Sequence, residues 1–186
     1  MSRSPLQILV PVLVAVALSS PLHAQGSAPS PAAPDLSDPE VAHVAVTANS
    51  IDVELARFAQ SRTRNAEVRQ FAATMIADHT AVNAQAAALA GRLGVTPADN
   101  GVSRSLVAGA TEARAALEPL KGVVFDRAYI GREIAYHQAV LDALDGLLIP
   151  TSSNADLRKL LVDVRPAFAA HLEHARMLKS RLDAAK

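Results

Sequence analysis

The sequence predicts an all-α protein, a ferritin-like four-helix bundle whose long crossover carries a short extra helix. Three observations point there. Half of the residues are hydrophobic but only 3% are aromatic, and an Ala-, Leu- and Val-rich chain suits close-packed helices better than sheet. Four segments carry apolar stripes at helical spacing. Between the second and third of them, Val95 to Leu120 is long enough for the chain to travel back along the whole bundle, the connection that distinguishes ferritin-like bundles.

Before the bundle come two other segments. Residues 1–24 read as an export signal: Arg3 is followed by an apolar run from Ile8 to Leu18, with cleavage expected after Ala24. The run is too short for a stable membrane-spanning helix, so the mature chain is expected to have no such segment; an uncleaved anchor is the alternative. The chain has no cysteine, which rules out a lipoprotein anchor, disulfides and thiolate chemistry. The expected location is the periplasm. Residues 25–38, rich in Pro, Ser and Ala, form a tether with no face to bury, leaving 39–184 as the bundle domain.

The first helix should start at Ser37-Asp38-Pro39-Glu40, with Ser37 and Glu40 spaced as a capping box and Pro39 at its first position. Val41, Val44, Ala48, Ile51, Leu55 and Phe58 make its stripe; Asp52 and Glu54 flank it. The second helix runs from an Asn65 cap to a Gly94 stop, with a stripe of Val68, Phe71, Ala72, Met75, Val82, Ala86, Leu89 and Leu93. In the crossover, Thr96-Pro97 and Asn100-Gly101 break the chain, and Ser103 to Leu117 predicts the short helix. The third long helix spans Lys121 to Leu148, with Val123, Ile130, Ile134, Leu141, Leu144 and Leu148 facing inward, and ends at Ile149-Pro150-Thr151. The fourth begins at Ser153 or Asn154 and presents Leu157, Leu161, Val164, Phe168, Ala175, Leu178 and Leu182. Pro166 should kink it.

Three of these stripes contain a histidine: His79, His137 and His171. A core does not accept an imidazole unless something answers its ring nitrogens. Measured from the first interhelix turn, Asp52 lies about 11 residues down, His79 and His137 about 15 and His171 about 12, a spread of roughly 6 Å. Side chains from all four helices then converge in one layer. Three imidazoles with Asp52 or Glu54 form a ligand set for Zn, Cu, Fe or Mn, with Asp78 and Glu133 as acceptors for the outer ring nitrogens. The alternative is a metal-free His–carboxylate network within a structural or interaction module. His43, and His174 beside Glu173, are expected on solvated faces.

Other functions find no support in the pattern. Eighteen basic and eighteen acidic residues cancel, leaving no field to attract nucleic acid. There is no Ser-His-Asp grouping at a strained turn, no phosphate loop and no zinc-protease motif, so no catalytic residue is assigned. A redox reaction at the metal would need an open coordination position.

The stretches IDVELARFAQSRTRNAEVRQFAATMIADHT, FDRAYIGREIAYHQAVL and RPAFAAHLEHARML resemble, in order, the DUF4142 domain family. These are exported, ferritin-like bacterial proteins of unknown function, described as outer-membrane proteins. The resemblance implies that His79, His137 and His171 are the family's characteristic histidines, and it adds association with the outer membrane. It implies no reaction. The sequence lacks the pair of Glu-x-x-His motifs of di-iron ferritin-like proteins, so iron storage is not carried over. The resulting expectation is an exported protein binding one transition-metal ion in the bundle core, in envelope stress or metal homeostasis, with an envelope protein as the partner under the interaction-module alternative.

Overall fold

The computed structural model describes residues 34–185. The expected export signal, and the tether through residue 33, lie outside the described residues. Six helical segments are found: α1 (Asp38–Arg62), α2 (Ala66–Leu93), α3 (Gly101–Leu117), α4 (Gly122–Ala143), α5 (Ile149–Thr151) and α6 (Ala155–Ala184). A π-helical turn, Leu144–Leu148, joins α4 to the single turn α5 without a break. No strand occurs among the described residues, and no helix there is long and apolar enough to cross a membrane.

Local chemistry sets the boundaries. Glu40 accepts the Ser37 backbone N–H, closing the start of α1. Asn65, Asn100 and Asn154 each accept two backbone N–H groups at the starts of α2, α3 and α6, satisfying donors that a helix leaves free. Gly94 ends α2 at φ 64, the left-handed conformation that glycine reaches without a Cβ penalty. The short helix starts two residues earlier than expected because Asn100, rather than a residue near Ser103, is its cap.

Contacts between helix ends determine the topology. Asp38 accepts the backbone N–H groups of Ser153 and Asn154, so α1 and α6 start at the same end. At the other end, the Thr63 hydroxyl donates to Asp126 across 2.6 Å, and Arg62 donates to the Glu118 carbonyl. The helices α2 and α4 therefore both begin where α1 finishes, and α3 runs back beside α1 between them. Its start is held by Asn100 donating to the Glu40 carbonyl. Two antiparallel hairpins, α1–α2 and α4–α6, joined by a full-length crossover, form the expected ferritin-like bundle.

Two apolar clusters fill the bundle. One contains Leu55, Phe58, Val68, Phe71, Met75, Phe125, Tyr129 and Leu178. The other contains Val41, Val44, Leu89, Leu141, Leu148, Leu157, Leu161 and Phe168. Between them, Asn49, Asp52, His79, Glu133, His137 and His171 are all buried.

Several expectations need correction. Leu36, assigned to the tether, is buried in the second cluster. Val123 is 48% exposed, because α4 turns Phe125 and Tyr129 inward instead. Val82 and Ala86 are only half-buried and Leu93 is exposed: past His79, α2 buries Leu89 alone. Pro166, where a kink is expected, does not end α6, which continues to Ala184. His43 is half-buried near Thr47, and His174 packs edge-on against Phe71 with ring centres 5.2 Å apart.

Phe71 is fully buried and also meets Tyr129 edge-on. Phe71→Ala should lower the unfolding free energy by about 3–5 kcal/mol in a urea titration. A loss below about 1 kcal/mol would mean the first cluster is not packed as described.

Candidate metal centre

Each helix of the bundle contributes to the layer between the clusters. The helix α1 supplies Asn49 and Asp52, α2 Asp78 and His79, α4 Glu133 and His137, and α6 His171. The three imidazole centres form a near-equilateral triangle, with sides of 5.6, 5.3 and 5.4 Å. One ring nitrogen from each histidine lies within 4.8 Å of the others.

The outer nitrogens are all tied to acceptors. Asn49 donates through Nδ2 to the Ala45 carbonyl at 2.8 Å. This turns its amide oxygen to His79 Nδ1, 2.6 Å away. An amide oxygen only accepts, so Nδ1 carries a proton, and in the singly protonated tautomer Nε2 keeps its lone pair. His137 Nδ1 donates to the Glu133 carbonyl at 3.0 Å, leaving Nε2 bare by the same logic. His171 Nε2 donates to Asp78 Oδ2 at 2.9 Å, leaving Nδ1 bare. His79 Nε2, His137 Nε2 and His171 Nδ1 are buried and complete no hydrogen bond. Such groups are costly unless something answers them.

Asp52 approaches two of the three rings and groups with Glu133 and His137. Its Oδ2 lies 2.8 Å from His79 Nε2 and 3.5 Å from His137 Nε2. The first separation has the length of a hydrogen bond but not its alignment, since neither atom completes one. Lone pairs directed at a shared third point produce this arrangement. Imidazoles bound at roughly 2.1 Å to one tetrahedral ion would hold their ring centres about 5 Å apart, in agreement with the observed triangle. The nitrogens of His79, His137 and His171 form one group able to hold a metal ion, and Asp52, Glu133 and His137 form a second that shares His137.

The charges are compatible with this. Burial alone would raise the Asp52 pKa, but the contact of hydrogen-bond length from His79 and the charges that His79 and His137 carry when protonated, with Arg132 beyond them, pull it below the usual carboxylate range. Glu133 is pushed well above its ordinary value by burial and by the charge on Asp52. The shift favours the protonated form of Glu133 beside Asp52. Burial pushes His137 down to about 4, against the pull of Asp52, and lowers His171 despite the Asp78 carboxylate. Both rings are therefore neutral at pH 7, as ligation requires.

The structure brings together Asp52, His79, His137 and His171, with Asp78 and Glu133 each behind a histidine. Asp52 and Glu133, read from the sequence as flanking residues, sit fully buried in the middle. Glu54 does not join them. Two residues from Asp52 is about 200° around the helix, and Glu54 is exposed in a shallow pocket with Val107 and Arg114. The sequence reading missed Asn49, which orients His79. Its signal was present: Asn49 lies three residues before Asp52 and hence on the same helical face.

The neutral, buried His137 has a consequence for stability. An unfolded chain takes up the proton near pH 6.5, but the folded chain only near 4. The contribution is therefore complete above pH 6.5 and is lost as pH falls toward 4, on the order of 3 kcal/mol. Glu133 acts in the opposite sense, costing stability as pH rises above its ordinary value, so the test is a difference. In chelator-treated protein, the urea midpoint should fall more between pH 7 and pH 4.5 for the native chain than for His137→Gln. Equal falls would show that this imidazole is not held neutral by burial.

No curated protein and no solved structure matches the chain. Residues 23–178 of the 186 match the family described as domain of unknown function (DUF4142), and the stretches that carry His79, His137 and His171 fall within that match. The chain belongs to the DUF4142 family.

Proposed function

We propose that this is an exported protein that binds one transition-metal ion through His79 Nε2, His137 Nε2, His171 Nδ1 and Asp52 Oδ2, and that it serves metal homeostasis or stress tolerance in the cell envelope. The observation that carries the reading is the proton placement. All three outer nitrogens donate to acceptors, and all three inner ones are buried without a partner. Histidines that ligate metals show this pattern, in which an amide, a backbone carbonyl or a carboxylate behind each ring fixes its tautomer. Imidazole nitrogens and a carboxylate oxygen are donors suited to Zn, Cu, Fe or Mn.

A second reading is a structural or interaction module held together by a metal-free network, whose outer faces meet an envelope partner. It is favoured by the 2.8 Å between Asp52 and His79, a length that a shared proton would also give.

Elemental analysis separates the two. Protein challenged with Zn2+, Cu2+, Mn2+ or Fe2+ and then desalted should retain one ion per chain, and His137→Ala and Asp52→Asn should each lose most of it. Saturation at 100 times the dissociation constant should stabilise the fold by about 2.7 kcal/mol. Substoichiometric metal that is unchanged in His137→Ala would overturn the metal reading. The network reading would then require His79→Leu to leave stability nearly unaltered.

A further inference from the structure

Above the histidine layer the bundle does not close. The α2 residues past His79 are mostly small, and Val82 and Ala86 stay half-buried. Between this part of α2 and the facing helices lies a cavity of about 390 Å3, walled by Ala45, Val82, Ala86, Val140, Leu160 and Phe168 among other apolar side chains. Its inner end is polar, formed by Asn49, Asn83, Tyr136 and the edges of His79 and His137. Its outer end reaches Asp38 and Asn154. The volume lies in the range of small-ligand sites.

Asn83 supplies an independent reason to expect a ligand. Its Nδ2 donates to the Ser50 hydroxyl at 3.1 Å, which sets the amide and leaves Oδ1 as an acceptor. That oxygen is buried and accepts no hydrogen bond, although Asn83 lines the cavity. The other polar groups there offer no donor to it: the Tyr136 hydroxyl donates to the Ala48 carbonyl, and the Asn49 amide is used by Ala45 and His79. An unmet acceptor in apolar surroundings costs about 1–3 kcal/mol, and a ligand donor placed there would recover it.

We infer that this cavity binds a single neutral aliphatic chain ending in a hydroxyl, with the hydroxyl donating to Asn83 Oδ1 and the chain running outward toward Asp38. The span from Asn49 to Asp38 along α1 is about 16 Å, which an extended chain of about a dozen carbons would fill. The head must be a donor because Asn83 Oδ1 only accepts. It must be uncharged because a carboxylate would lie against that acceptor, and an ammonium would lose its hydration among apolar walls without an ion partner lining the inner end. The site is separate from the metal reading, which concerns the inner nitrogens of the histidines and not the apolar wall.

N-phenyl-1-naphthylamine fluorescence and displacement by 1-dodecanol test this on the purified protein. The probe should saturate at one site per chain, and dodecanol should displace it at least tenfold more effectively than dodecanoate. Ala86→Phe fills the cavity and should weaken both ligands at least tenfold while helicity and metal content stay unchanged; Ala45→Leu is a milder substitute should Ala86→Phe not fold. Asn83→Ala should weaken dodecanol and narrow its advantage over dodecanoate. Probe binding that never saturates, or that survives both cavity-filling variants, would overturn the proposal. So would a native dimer that Ala86→Phe dissociates, because the apolar wall would then be a contact between copies. Dodecanol binding by a protein that retains no metal would leave it standing.

Discussion

The hydrogen bonds on the outer faces of the three imidazoles are the constraint on which the rest of the centre depends. A histidine can hydrogen-bond through both nitrogens, and in an apolar core it normally must. Here Asn49, the Glu133 carbonyl and Asp78 each take one N–H, so every ring is oriented and every tautomer set from behind. The inner nitrogens then have no freedom to find separate partners. They face one another, and two of them face Asp52. That concentration of acceptors is unfavourable unless a proton or a cation joins them.

The position of this layer follows from the two apolar clusters. Phe58, Phe71, Phe125 and Tyr129 pack one end of the bundle closely, and edge-on aromatic contacts hold their relative positions. The other end has Leu and Val on three helices but mostly small residues on the far half of α2. Unequal filling leaves a dense end that supports the polar layer from below and an apolar cavity above it. The same helices thus provide a rigid base for oriented ligands and an opening from one side.

The ion pairs and capping bonds at the helix ends act on topology more than on stability. Exposed pairs such as Arg165–Asp145 contribute little in water. The Asp38 contacts to Ser153 and Asn154 and the Thr63–Asp126 bond bring the ends of α1, α4 and α6 to common heights. A shift of one helix by a single turn would move a histidine by about 5.4 Å and dismantle the layer.

By itself the sequence determined the helices, their caps, the crossover and the three histidine positions, because each of these follows from local rules: helical periodicity, capping residues and the rise per residue. It also placed Asp52 at the right height. The tertiary structure alone decided which carboxylate turns inward. Asp52 and Glu54 both flanked the stripe, and only the packing of α1 against α2 and α3 buries one and exposes the other. It alone decided the burial of Glu133, the part played by Asn49 and the protons on His79 and His171, since these depend on partners dozens of residues away. The opening beside α2 was likewise hidden, because periodicity marks an apolar face without saying whether anything fills the space opposite. A side chain's direction and its company are long-range properties, and no local pattern carries them.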